Sequence, residues 1–194
     1  MAKGFDTTAN CSHSAADIAS AGYEFVGRYL SRSSWKVISA GEVGALKDAG
    51  LSVVLVYEDG PTASSYFSED RGTSDATRAA QQAAAIGAPP TTTLYFAVDY
   101  DASAADIAGP ITAYFQGIVS AATGFQIGVY GSGATCSAIT GAGLASKGWL
   151  ACAKGWAGYA GYQPSASIEQ ALPTTVLGLS VDPDTGNGAY GGFP

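Results

Sequence analysis

Thr93-Leu94-Tyr95-Phe96-Ala97-Val98-Asp99-Tyr100-Asp101 is a near-continuous apolar run that ends on two carboxylates. Such a run predicts a strand covered on both faces, as in a parallel sheet. Residues two apart on a strand share a face, so the tip of this one presents Asp99 and Asp101 side by side. Two acids at the end of a buried strand are costly unless they do chemistry. Mutual repulsion and partial burial push their pKa values apart, which is how one site holds both an acid and a base.

Outward from this run, the chain alternates short β-rich segments with capping signals, Ala-rich helical stretches and glycine exits. Strands are expected near 4–8, 24–30, 51–57, 92–99 and 126–131, with weaker ones near 148–153, 167–172 and 176–182. Ser14 with Asp17, Ser39 with Glu42, and Ser103 with Asp106 have the spacing of a capping box, each after an apolar run. Gly22, Gly50, Gly87 and Gly124 supply the exits, since glycine tolerates the left-handed conformation that ends a helix. A short helix is expected near 134–142, whereas Lys154 to Ser165 reads as a long Gly- and aromatic-rich loop.

This alternation suits a doubly wound sheet or a closed eight-stranded barrel. The acids decide between them. Asp6, Glu58, Asp99, Asp101 and Asp182 fall at the C-terminal ends of inferred strands, and only a closed barrel gathers strands one, three, four and eight around one centre. No GxGxxG or GxxxxGK[ST] occupies the first strand-to-helix turn, against a dinucleotide or phosphate loop. The expected fold is therefore α/β: one compact domain over 1–194, a TIM-like (β/α)8 barrel with its later helices short or missing.

Composition narrows the partners. The 194 residues are 47% hydrophobic and 13% charged, enough for one substantial core, and 16 acids against 9 bases give a net charge of −7. Phosphate binding needs a basic footprint, so nucleic acid is not an expected partner. No apolar stretch reaches the roughly 18 to 20 residues of a membrane span. Cys11, Cys136 and Cys152 lack CxxC spacing and His13 is the single histidine, which leaves a zinc site without ligands; no metal and no cofactor is expected. Met1 to Asp6 enters a strand at once, with no signal peptide.

Gly4-Phe5-Asp6, Gly22-Tyr23-Glu24-Phe25-Val26-Gly27-Arg28-Tyr29-Leu30, Tyr95 to Asp101, Gly128-Val129-Tyr130-Gly131 and Val181-Asp182-Pro183 resemble, in that order, the glycoside-hydrolase-like family known as domain of unknown function 1906. More distantly they resemble the family 25 lysozymes, which are muramidases. The resemblance implies a compact β/α barrel whose carboxylates line one mouth and whose partner is a polysaccharide, peptidoglycan above all. It also implies an extracellular or cell-wall location. By position, Asp6 matches the muramidases' first-strand aspartate, Asp99 the first acid of their strand-four pair and Asp182 the acid on the last strand. Asp101 departs from their D-x-E pattern, because aspartate sets the carboxyl back by about 1.5 Å, one C–C bond. A misplacement near 1 Å can cost about a hundredfold in rate, so the departure bears on hydrolysis more than on binding.

The expected catalytic set is thus Asp6, Asp99, Asp101, Asp182 and Glu58, with Asp101 protonating the leaving oxygen and Glu58 taking its place if Asp101 is too short. Asp182 to Gly188 also reads as a turn. Arg28, inside the apolar run of strand two, is expected to face an inward carboxylate such as Asp6 or Asp99, or the substrate. Tyr57, Tyr130, Trp156 and Gln170 complete the expected substrate contacts, Trp156 as a sugar platform in the Gly-rich loop. Three functions stay open: a muramidase-like glycoside hydrolase, a catalytically silent carbohydrate-binding or targeting module, and a barrel of another chemistry whose acids gather a divalent cation.

Overall fold

The computed structural model describes residues 1–121 and 123–194. Strands β1 (Ala2–Asp6), β2 (Phe25–Leu30), β3 (Ser52–Tyr57), β4 (Thr93–Ala97), β5 (Gln126–Gly131), β6 (Lys147–Leu150) and β7 (Ile168–Gln170) pair in sequence order and in parallel. Helices α1 (Ala15–Ser20), α2 (Ala40–Asp48), α3 (Glu69–Ala85), α4 (Ala104–Asp106), α5 (Thr112–Ser120), α6 (Gly133–Gly141) and α7 (Tyr159–Tyr162) lie between them. The expected later-helix weakness is real: α7 has four residues and nothing helical follows β7. Ala122, just before the predicted Gly124 exit, lies outside the described residues.

Closure differs from a strict parallel barrel. After β7, β8 (Thr174–Val176) and β9 (Leu179–Gly186) form a hairpin, and β9 runs antiparallel to both β7 and β1. A parallel return needs a crossover of a dozen or more residues, and the stretch between Gln170 and Leu179 is too short for one. The turn expected over Asp182 to Gly188 is therefore mostly strand. Reversal also explains how Asp182 reaches the mouth: β9 starts at that edge and descends, pairing Asp182 with Asp6 and Asp184 with Gly4.

Strand alternation makes two cores. Phe25, Val54, Val56, Tyr95, Ala97, Trp149 and Ile168 fill the barrel interior, whereas the intervening strand residues, including Phe5, Val26, Leu55 and Phe96, pack outward under the helices. The interior fits because rings meet glycines. A Cβ on Gly4 would lie 2.3 Å from the Phe25 ring, one on Gly128 2.5 Å from Tyr95, and one on Gly27 2.9 Å from Trp149. At the end opposite the mouth, Tyr190 stacks on Phe25 with centroids 4.6 Å apart, and its carbonyl accepts the Tyr95 hydroxyl at 2.9 Å. The C-terminal tail thereby plugs the barrel floor.

The capping pairs behave differently from one another. Ser103 and Asp106 form the full reciprocal box, and Ser39 accepts from the Glu42 amide, but Ser14 caps nothing because a tight turn over Ser12–Ser14 runs straight into α1. The Glu42 side chain is used elsewhere. Arg28 points outward, where its Nε lies 2.7 Å from Glu42 and its Nη1 donates to the Thr7 carbonyl. The expectation that Arg28 faces the mouth fails because its neighbours Gly27 and Tyr29 hold the inward positions.

Tyr57 faces outward for the same reason of phase. Its hydroxyl donates to Asp59 and contacts Asp75, a fully buried carboxylate that also accepts from Tyr66, Tyr114 and Arg71. That network ties the β3–α3 connection to α5, where Gly72 and Gly117 let the two helices touch backbone to backbone. A Cβ on Gly72 would sit 1.9 Å from the Tyr114 carbonyl oxygen, whereas one on Gly44, in α2, meets nothing within 4 Å. Gly72→Ala is expected to lower stability by about 1–3 kcal/mol through overpacking, and Gly44→Ala to raise it by about 0.5–1 kcal/mol through helix propensity. Urea denaturation of the two variants checks the pair.

Candidate active site

The mouth at the C-terminal edge of the parallel strands opens into a cavity of about 220 Å³, lined by Asp6, Glu58, Asp99 and Asp182 together with Tyr29, Tyr130, Trp149, Cys152, Gln170 and Pro173, among others. Each acid arrives on a different element. Asp6 ends β1, Glu58 follows β3, Asp99 lies two residues beyond β4 and Asp182 sits on β9. Asp6 is 1% exposed and fully engaged: the Tyr29 hydroxyl donates to Oδ1 at 2.7 Å and Gln170 Nε2 to Oδ2 at 2.7 Å. Gln170 is in turn fixed through Oε1, which accepts from the Tyr130 hydroxyl at 2.9 Å and the Cys152 amide at 3.3 Å. Gly27 makes room for this acid, since a Cβ there would lie 2.7 Å from the Asp6 Cβ.

Glu58 accepts Lys36 Nζ at 2.8 Å, and the same ammonium lies 4.8 Å from the Tyr29 ring centroid. Among the described residues, Asp99 and Asp182 have no comparable partner. Burial first, then the charges of Glu58 and Asp182, pushes the Asp99 carboxyl up, with Lys36 pulling weakly the other way. Burial alone raises Asp182. Asp6 is raised to about 7 by burial, against the lowering effect of its two hydrogen bonds.

Below this ring lies an acid that the sequence reading absorbed into a turn. Asp184 is 3% exposed, takes one hydrogen bond from Trp149 Nε1 at 3.0 Å, and leaves Oδ2 without a partner among the described residues. Burial, then the Asp6 charge, raises its carboxyl well above the ordinary range. Asp184 therefore carries the proton of this pair, and Asp6, with two donors, is the one able to hold charge. Alternation from Asp182 was the available signal. Tyr29 was likewise legible as the inward neighbour of Gly27, but Lys36, arriving from a loop, carried none.

Besides Arg28 and Tyr57, which face outward instead of contacting the mouth as expected, two more expected residues lie elsewhere. Asp101 does not stand beside Asp99: β4 ends at Ala97, the two-residue phase lapses, and the exposed Asp101 carboxylate accepts the Ala157 amide at 2.9 Å. Trp156, in the loop held by that contact, is half-buried and does not line the cavity. Tyr130 and Gln170 do line it. All three cysteines are free, and no group of three or more His, Cys, Asp and Glu residues arranged to hold a metal ion occurs among the described residues.

A family model described as Rv2525c-like, glycoside hydrolase-like domain matches residues 16–178. The chain belongs to that family. The Bacillus subtilis protein YbfG is 40% identical over 158 residues, which are 73% of this chain and 22% of YbfG. The chain thus spans about a quarter of the length of the curated relatives it matches, 22% of one and 27% of the other. The Tat-secreted protein Rv2525c of Mycobacterium tuberculosis, solved with L-tartrate, superimposes with a TM-score of 0.85 at 24% identity, covering 98% of each chain. The modular autolysin LytC of Streptococcus pneumoniae, solved with a synthetic peptidoglycan ligand, gives 0.61 at 13% identity over 94% of this chain and 46% of LytC. Lysozymes and a family 25 glycosyl hydrolase share the barrel at 10 to 18% identity. At such identities the likeness is one of fold.

The buried acid pair of this family member sets a pH dependence whose sign follows from linkage. The folded state holds the Asp184 proton above the ordinary 3.8, so this group's contribution to stability is fully present below that value and is lost as pH rises through the folded-state pKa. Asp184→Asn mimics the neutral acid. Thermal unfolding is expected to give similar stability for variant and wild type near pH 4 and a growing advantage for the variant toward pH 8, on the order of 1 kcal/mol or more. A wild type more stable than the variant at pH 8 contradicts a neutral Asp184.

Proposed function

We propose that this domain binds a cell-wall glycan of the peptidoglycan class in the acid cavity and cleaves its glycosidic bonds by carboxylate acid/base chemistry. The inequality of the acids carries this reading. Glycoside hydrolysis wants one protonated acid and one carboxylate around the scissile bond. Glu58, ion-paired with Lys36, supplies the carboxylate; Asp99, with no side-chain partner among the described residues and pushed up by burial, supplies the acid. In this scheme Asp99 protonates the leaving oxygen, Glu58 faces the positive charge that develops on the sugar, Asp182 grips a hydroxyl, and Asp6, held by Tyr29 and Gln170, lies beneath them.

The fold shared with lysozymes and with a LytC crystallised with a peptidoglycan ligand supports the substrate class. The Tat-secreted relative, together with the lack of any helix long and apolar enough to cross a membrane among the described residues, supports work outside the cytoplasm, at the cell wall. A second reading, a targeting module that binds without turnover, is favoured by one observation. The second acid of the muramidase pattern, here Asp101, is spent on the Ala157 amide.

Purified cell wall incubated with wild type, Asp99→Asn and Glu58→Gln separates the two. New reducing ends from the wild type, lowered about 100-fold or more in Asp99→Asn while sedimentation with the wall persists, support hydrolysis. Because Asp99 must be protonated, the rate is expected to fall as pH rises through its raised pKa. Removing the Glu58 charge lowers that pKa, so any residual activity of Glu58→Gln loses its rate at a lower pH than the wild type. Sedimentation without reducing ends at any pH leaves the module, and neither signal sinks the glycan reading.

A further inference from the structure

The cavity is rich in acceptors and poor in donors. Four carboxylates line it and Asp184 lies two cross-strand pairs below, its buried Oδ2 without a partner among the described residues. The side-chain donors around it are already directed at protein acceptors: Tyr29 and Gln170 at Asp6, Tyr130 at Gln170, Trp149 at Asp184 and Lys36 at Glu58. What remains is the Cys152 thiol, a weak donor. Arg28, a buried cation on β2, is turned away to Glu42. Hydrolysis needs two acids, and this site holds a surplus without a cation to match.

An N-acetyl group brings a carbonyl that looks for a donor, and beyond the Cys152 thiol the described side chains offer it only a proton held by one of the acids themselves. An ammonium group brings three donors and no acceptor, and charge-assisted bonds to carboxylates are about twice as strong as neutral ones. We propose that the cavity is built for an ammonium group, and that the glycan it takes carries a free amino sugar, a glucosaminyl rather than an N-acetylglucosaminyl unit. The inference rests on the glycan reading above and names its substrate class. Burial already pushes Asp6, Asp99 and Asp182 toward their protonated forms, so an entering ammonium drives protons off the cavity. Tyr29, Tyr130 and Cys152, also held neutral by burial, add no opposing charge.

Titration calorimetry with the β-1,4-linked tetrasaccharide of glucosamine and its fully N-acetylated counterpart, each in two buffers of different ionisation heat, tests this. The free amine is expected to bind at least about tenfold tighter, a 1.4 kcal/mol difference, with net proton release that the acetylated sugar lacks. Asp99→Asn and Asp182→Asn should each erase most of that preference, and the exposed Asp48→Asn should keep it. Equal or tighter binding of the acetylated sugar overturns the inference while leaving the glycan reading intact. A preference that survives both cavity variants also overturns it, as mere attraction to a protein of net charge −7. Binding of neither sugar overturns both.

Discussion

The antiparallel ladder between β1 and β9, running from Ala2 opposite Gly186 to Asp6 opposite Asp182, is the constraint on which the rest of the molecule depends. It is the seam that turns a twisted sheet into a barrel, and a barrel removes the edges that an open sheet must protect. The same seam fixes the chemistry. Because residues directly opposite in such a ladder share a face, joining β9 to β1 in this register brings Asp6 and Asp182 to one mouth and buries Asp184 beneath them. A slip of β9 by one residue would send Asp182 and Asp184 outward, away from Asp6, which the β1–β2 pairing holds at the mouth. Fold closure and site assembly are thus one event.

The barrel and the ring of acids were legible because both rest on periodicity. Val53 to Val56 and Leu94 to Val98 could only be strands covered on two sides, and acids at their ends could only meet in a closed structure. Legibility failed where local sequence has more than one meaning. Asp182-Pro183-Asp184-Thr185-Gly186 has turn chemistry, yet the closing strand needs a partner for β1 and takes it; tertiary pairing overrides local preference. Asp101 failed for a related reason. Phase within a strand carries no information once the strand has ended, and β4 ends at Ala97, two residues before Asp99. Lys36 comes from a loop, and nothing in its neighbours says which carboxylate it meets.

Arg28 shows how alternation settles an electrostatic question. A guanidinium in the barrel interior would neutralise Asp6 and bind Asp184, and the mouth would be a satisfied ion cluster of no further use. Turned outward, it makes its pair with Glu42, both nearly unexposed, and joins β2 to α2. A buried pair of this kind is costly to break by removing one partner, so it holds the helix layer to the barrel. The interior is left with carboxylates and with hydroxyl, amide and indole donors. Such donors relieve burial only in part: Asp6, with two of them, and Asp184, with one, both stay raised.

That arrangement bears on what the missing glutamate of the D-x-E pattern means. If Asp101 were the proton donor, its shortening would disable the site, because a carboxyl bonded to the Ala157 amide cannot also reach a glycosidic oxygen in the cavity. Yet the cavity does not lack an acid pushed toward its protonated form; burial, then the charges of Glu58 and Asp182, do that to Asp99. Nor does it lack a held carboxylate, since Glu58 has Lys36. In the proposed scheme the two roles are filled from the ends of different strands, just after β3 and just after β4, instead of from one strand tip. Asp101, freed from the mouth, fastens the loop that follows β6. The departure from the lysozyme pattern is then a redistribution of acids around the same ring, and the residue that first drew the eye beside Asp99 belongs to the scaffold of its rim.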